Sequence, residues 1–162
     1  MVEKIKVALV GLGNCFSGLI QGIEYYRKNP SQQVIGIIHE KLRDYSIHDI
    51  DFVAGFDVGE NKIGKGVNEA IYESPNMVDW IDRNDMPKTD AKVYESPALD
   101  GVGIWVENKV KPIQSGKSQS ELESEIKNVL KETGVEIIVS YLPVGSEKAT
   151  QFWANICLET NT

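Results

Sequence analysis

The sequence predicts an α/β fold: a Rossmann-like, doubly wound, mainly parallel sheet in one domain over residues 1–162. Three observations carry this expectation. Apolar, β-branched runs recur at 5–10, 49–58 and 135–143. Stretches with helical spacing stand between and after them. The loops that follow the runs are rich in Gly, Asn, Ser and Pro, which is the pattern of βαβ units.

Residues 5–10, "IKVALV", are apolar apart from Lys6 and read as a buried strand of a parallel sheet. Phe16, Leu19, Ile20, Ile23 and Tyr26 then fall on one helical face over 15–28, and Pro30 bars continuation. "VIGIIHE" (34–40) reads as a short strand or an extended loop. "DIDFVAGFDV" (49–58) is a clearer strand, so 30–50 reads as an insertion between helix and strand. "KIGKGVNEAIYE" (62–73) suggests a short helix and "AKVYES" (91–96) a strand. Ser120 and Glu123 form an S-x-x-E capping box, Leu122, Ile126, Val129 and Leu130 mark the helix behind it, and Gly134 suits its C′ position. "VEIIVSYLP" (135–143) predicts another buried strand. Ser146 reads as the N-cap of a helix over 146–160. Such a fold would next enter a further strand, so the sequence is expected to be truncated at its C-terminus.

The chain has 162 residues, 41% hydrophobic and 25% charged, and a net charge of −7. That charge, without a Lys/Arg stripe, argues against nucleic acid or an anionic membrane as main partner. No apolar run approaches the roughly 20 residues that span a bilayer, and the N-terminus lacks the layout of a signal peptide. The cytoplasm is the expected compartment. Cys15 and Cys157 show no framework spacing and are expected to be reduced thiols; Cys15 is expected to pack rather than react. His39 and His48 match no ligand spacing, and no metal site is assigned. Lys65 and Lys148 read as solvated helix lysines, and the aromatics Tyr25, Tyr26, Trp80, Trp105 and Trp153 as core or surface cover.

The chemistry concentrates in "KVALVGLGNCFSGLIQGIEYY" (6–26). A strand, then Gly11 and Gly13, then a helix is the geometry that turns free helical N–H groups towards a pyrophosphate. The third glycine of the full fingerprint would stand at 16, where Phe16 is found, so a plain strand–helix corner remains the competing reading. Asp57 closes the second strand, where a carboxylate accepts from both hydroxyls of an adenine ribose and repels a 2′-phosphate; it also suits a turn. "SYLPVGSEKA" (140–149) follows the last strand, beside the first strand in this topology.

Together "VALVGLGNCFSGLIQGIEYY", "HDIDFVAGFDVGENKIGK", "PALDGVG" and "VSYLPVGSEKATQFWA" resemble the myo-inositol-1-phosphate synthase family, in its archaeal and actinobacterial branch. The resemblance covers most of the chain. It implies an NAD-dependent isomerase that turns glucose 6-phosphate into inositol phosphate by oxidation, aldol cyclisation and reduction. It places Gly11, Gly13, Asn14 and Cys15 along the pyrophosphate, Asp57 on the adenine ribose with Val58 beside the ring, and Ser140, Tyr141, Leu142 and Pro143 by the ribose and nicotinamide. "DGVG" (100–103) matches a loop near the cofactor. The family has a small residue at the position of Phe16 and tyrosine at that of Trp153, which is counted with the cofactor-binding set. The sugar-binding and proton-moving residues lie in a second domain beyond this sequence, as does much of the homotetramer contact. No catalytic residue is assigned here, and the isolated chain is expected to be inactive. Rival readings are a non-catalytic dinucleotide-binding module and a fragment of another Rossmann oxidoreductase.

Overall fold

In a computed structural model, which describes residues 3–30, 36–104 and 107–162, four parallel strands form one sheet. They are β1 (Ile5–Val10), β4 (Ile50–Asp57), β5 (Lys92–Glu95) and β6 (Ile137–Ser140), in spatial order β5-β4-β1-β6. A two-residue-per-strand hairpin, β2 (Lys41–Leu42) with β3 (Tyr45–Ser46), stands apart, between the first helix and β4. Over 36–40 the backbone makes turns and bends rather than a strand; residues 34, 35 and Trp105 lie outside the described residues.

Alternation along β1 explains the layers. Val7 and Leu9 pack into one cluster with Phe16 and Ile20 of α1 (Asn14–Lys28) and Val67 and Ala70 of α2 (Val67–Ala70). Ala8 and Val10 point the other way. They meet Ile126 and Leu130 of α3 (Gln119–Thr133), and Phe152, Trp153 and Ile156 of α4 (Glu147–Thr160). Full burial of one such large side chain contributes about 1.5–3 kcal/mol, so a strand apolar on both faces requires both helical layers. The sheet is doubly wound and Rossmann-like.

Several local expectations shift. The helix expected over 62–73 is regular only at Val67–Ala70, with turns around it. The capping box of α3 lies two residues earlier than read: Ser118 and Glu121 bond reciprocally, while Glu123 pairs with Lys127. Both Ser118 and Ser120 satisfy S-x-x-E, and spacing alone does not choose between them. Gly134 ends α3 with φ 65°, as its C′ reading requires. β6 is shorter than 135–143 and is not a buried strand: it pairs with β1 on one side alone among the described residues, and Ile137 is 46% exposed.

Candidate functional site

From β1 the chain moves outward through β4 to β5, then returns to the other side of β1 as β6. The carboxyl ends of β1 and β6 thus diverge, and such a switch point opens a crevice. Gly11 makes the corner there with φ 80°, a conformation that L side chains rarely adopt, and a Cβ on it would stand 3.3 Å from the Tyr141 carbonyl oxygen. Its own N–H donates to the Phe56 carbonyl at 2.9 Å. Helix α1 begins immediately, with Gly13 as N-cap and no side-chain cap. Its first internal bond runs from the Ser17 N–H to the Gly13 carbonyl. The N–H groups of Asn14, Cys15 and Phe16 have no partner among the described residues, which leaves the positive end of the helix uncompensated.

A buried polar network fixes this turn. Asp57 is 8% exposed, and its Oδ2 accepts the Leu12 N–H at 2.8 Å, while Oδ1 accepts those of Val58 and Gly59, each at 2.8 Å. The Leu12 carbonyl accepts from Lys62 Nζ at 2.7 Å and Asn76 Nδ2 at 2.8 Å. Lys62 is 4% exposed, and its ammonium also lies 3.7 Å from Asp57 Oδ2. Asn14 Oδ1 accepts the Met77 N–H at 2.8 Å. Both sides of the Leu12 backbone are therefore held from segments 45 or more residues away.

The turn opens on a cleft containing about 860 Å³ of space not filled by protein, part of it continuous with solvent. Of the residues singled out from sequence, Gly11, Gly13, Asn14, Asp57, Val58, Tyr141, Leu142 and Pro143 line it together. Cys15, Ser140 and Trp153 are not in the lining. Cys15 is exposed on the first turn of α1 rather than packed. Trp153 is 3% exposed, and its ring centroid lies 4.9 Å from that of Phe56 in the core behind the sheet. Phe16 leaves the crevice open: its ring is fully buried under the turn, 4.3 Å from the Tyr141 ring by centroids.

The opposite wall comes from segments whose role was less legible. Asp100, in "DGVG", accepts the backbone N–H groups of Lys148 at 2.8 Å and Ala149 at 2.9 Å, and so caps α4. Those two bonds, Lys148 first, hold the Asp100 carboxyl below the ordinary carboxylate range. Ser146 occupies the cap position as read, but its hydroxyl donates to the Pro143 carbonyl instead. Residues 111–113 run beside 58–60, with Ile113 N–H on the Val58 carbonyl and Glu60 N–H on the Lys111 carbonyl, each at 2.9 Å. This brings Val110 to the cleft beside Val58, Val102 and Pro97. Lys62, Asn76 and Val110 carried no sequence signal, because their contacts depend on distant segments. Among the described residues no group of three or more His, Cys, Asp or Glu could hold a metal ion, and no helix is long and apolar enough to cross a membrane.

The chain is 41% identical over 157 residues to an inositol-3-phosphate synthase of Mycolicibacterium smegmatis, and 39% identical over 157 residues to one of Corynebacterium glutamicum. Each match takes in 96% of this chain. By sequence it is a relative of the inositol-3-phosphate synthases. It spans 41% of the length of either enzyme. No protein-family model matches it. Among solved structures, that of Ari2 superposes on 99% of the chain and 45% of its own length, with TM-score 0.78 and 26% identity. A myo-inositol-1-phosphate synthase-related protein from Thermotoga maritima superposes on 98% of the chain and 45% of its own length, with TM-score 0.68; at 19% identity it shows the fold alone.

The cleft leaves open space beside the first turn of α1. A Cβ built on Gly13 meets nothing within 4 Å, so the space beside the three unpartnered amides is not filled by protein. An anion seated there would be met by N–H donors and the helix dipole together. Val58, Pro97, Val102 and Val110 add apolar side chains to the lining, surface on which a flat ring can pack.

Proposed function

We propose that this chain is the NAD-binding part of an inositol-phosphate synthase, acting in the conversion of glucose 6-phosphate to inositol phosphate. The observation that carries the reading is the set of unpartnered first-turn amides at Asn14, Cys15 and Phe16, opening on the switch-point cleft beside Gly13. NAD supplies reversible hydride transfer when bound. The protein's part is to grip and orient it. Gly11 sets the corner, Gly13 leaves room for a diphosphate, and the α1 amides donate to it. Asp57 stands where an adenine ribose would lie, and Val58 and Val110 flank the base. Tyr141, Leu142 and Pro143, which also line the cleft, would meet the nicotinamide.

Because the overall reaction is redox-neutral, the same cofactor must serve the oxidation and the later reduction without leaving. A turn fixed at both sides of Leu12 suits retention better than rapid exchange. The groups that bind glucose 6-phosphate and move protons are placed, on this reading, in the length of the relatives that this chain does not span. A cytoplasmic homotetramer belongs to the same reading and rests on the kinship alone. Calorimetric titration of the purified chain with NAD tests it: saturable binding is expected, and no heat above dilution at millimolar NAD overturns it. With glucose 6-phosphate and NAD the isolated chain should form no inositol phosphate; measurable product would show that the residues present suffice.

A further inference from the structure

We propose that Lys62 is a specificity-determining positioning residue, which holds the glycine turn and offsets the charge of Asp57, so weakening the cleft's rejection of a 2′-phosphorylated dinucleotide. The inference rests on the dinucleotide reading above.

A carboxylate offers about four lone-pair sites and an ammonium three donors. Asp57 already accepts three backbone N–H bonds, from Leu12, Val58 and Gly59. Lys62 directs one donor to the Leu12 carbonyl at 2.7 Å and a longer one, 3.4 Å, to Asn76 Oδ1. What remains on this part of the lining is one acceptor site and one donor, on groups 3.7 Å apart. A ribose hydroxyl both donates and accepts, so it suits such a couple. A 2′-phosphate only accepts.

A lone carboxylate there would repel the 2′-phosphate with a full charge. With Lys62 at 3.7 Å the ligand meets an ion pair, whose field falls off faster with distance than that of a single charge. The side chain is nine-tenths buried and linked to the turn through Leu12, so its charge is fixed at this place. A surface lysine would be screened and mobile.

The test titrates the whole chain separately with NAD and NADP, in wild type, Lys62→Met, Asp57→Asn and the double variant. Lys62→Met should lower the NADP-to-NAD affinity ratio about tenfold or more relative to wild type. The double variant should lower it comparably relative to Asp57→Asn. Either comparison decides: where Lys62→Met does not fold, the double variant, which leaves no uncompensated buried charge, is read against Asp57→Asn, and where Asp57→Asn does not fold, Lys62→Met is read against wild type. A purely structural lysine would weaken both dinucleotides by one factor, and an unchanged ratio in these comparisons overturns the proposal. Wild type that binds neither dinucleotide overturns the site reading itself; NAD binding with unchanged ratios overturns the role of Lys62 alone.

Discussion

The ring of Phe16 stacks at a tilt against that of Tyr141, with centroids 4.3 Å apart, and joins the helix that follows β1 to the end of β6. The contact lies under the glycine turn, where a third glycine would otherwise bring helix and sheet closer. An aromatic residue thus fills the gap by packing. Phe16→Ala should cost about 3–5 kcal/mol of stability, as removal of a fully buried Phe ring does. Urea denaturation of the variant measures this, and a loss below about 1 kcal/mol would mean that the ring is not core.

The two glycines of the turn should separate in experiment. Gly11 has φ 80°, with the Tyr141 carbonyl 3.3 Å from a would-be Cβ, so Gly11→Ala should destabilise by about 1–3 kcal/mol. A Cβ on Gly13 meets nothing within 4 Å, so Gly13→Ala should fold and lose no more than about 1 kcal/mol, the cost of Ala at an N-cap. It should nevertheless lose NAD affinity by about tenfold or more, because the methyl takes the space left for the ligand. Thermal melts and titrations on both variants check the pair. Equal NAD binding by Gly13→Ala and wild type would place the diphosphate elsewhere.

Asp57 is expected to matter for folding as well as binding. Asp57→Ala strands three backbone N–H groups and leaves the Lys62 ammonium buried without its counter-charge. Breaking a buried pair in this way costs about 3–5 kcal/mol. A variant that melts like wild type but fails to bind NAD would show the carboxylate to be a ligand contact alone.

Much of this was legible in local pattern, and the limits have physical causes. β1 announces itself through two-faced apolar residues, and Gly11 and Gly13 mark the turn, because strand, corner and helix start are neighbours in sequence. Ser118 and Ser120 offer equal local chemistry, so spacing alone does not choose the α3 cap, which is Ser118. The apolar residues of β6 predict a buried strand, yet burial also takes cover on both faces and a neighbour at each edge, and β6 has a strand at one edge alone among the described residues. Lys62 and Asn76 were invisible because their meeting with Leu12 spans 50 and 64 residues. Trp153 shows the reverse limit: the resemblance implies a place with the cofactor-binding set, and the ring packs in the core behind Phe56.

Acid should loosen α4 through Asp100. Its carboxyl is held below the ordinary range in the folded chain by the N–H groups of Lys148 and Ala149. The sign follows: the stabilisation is fully present above the unfolded carboxyl value, about 3.9, and is lost as pH falls through the lower folded value. Urea midpoints of wild type and Asp100→Asn should therefore differ at neutral pH and converge below about pH 4. A constant difference across that window would remove Asp100 from the cap.

The same carboxylate also shapes what the crevice is able to receive. Two helices start at its walls, and the second already carries a resident negative group in its mouth. Of these two helix starts, that of α1 has no such group among the described residues. An anion entering the crevice would therefore be attracted at the start of α1 and repelled at the start of α4.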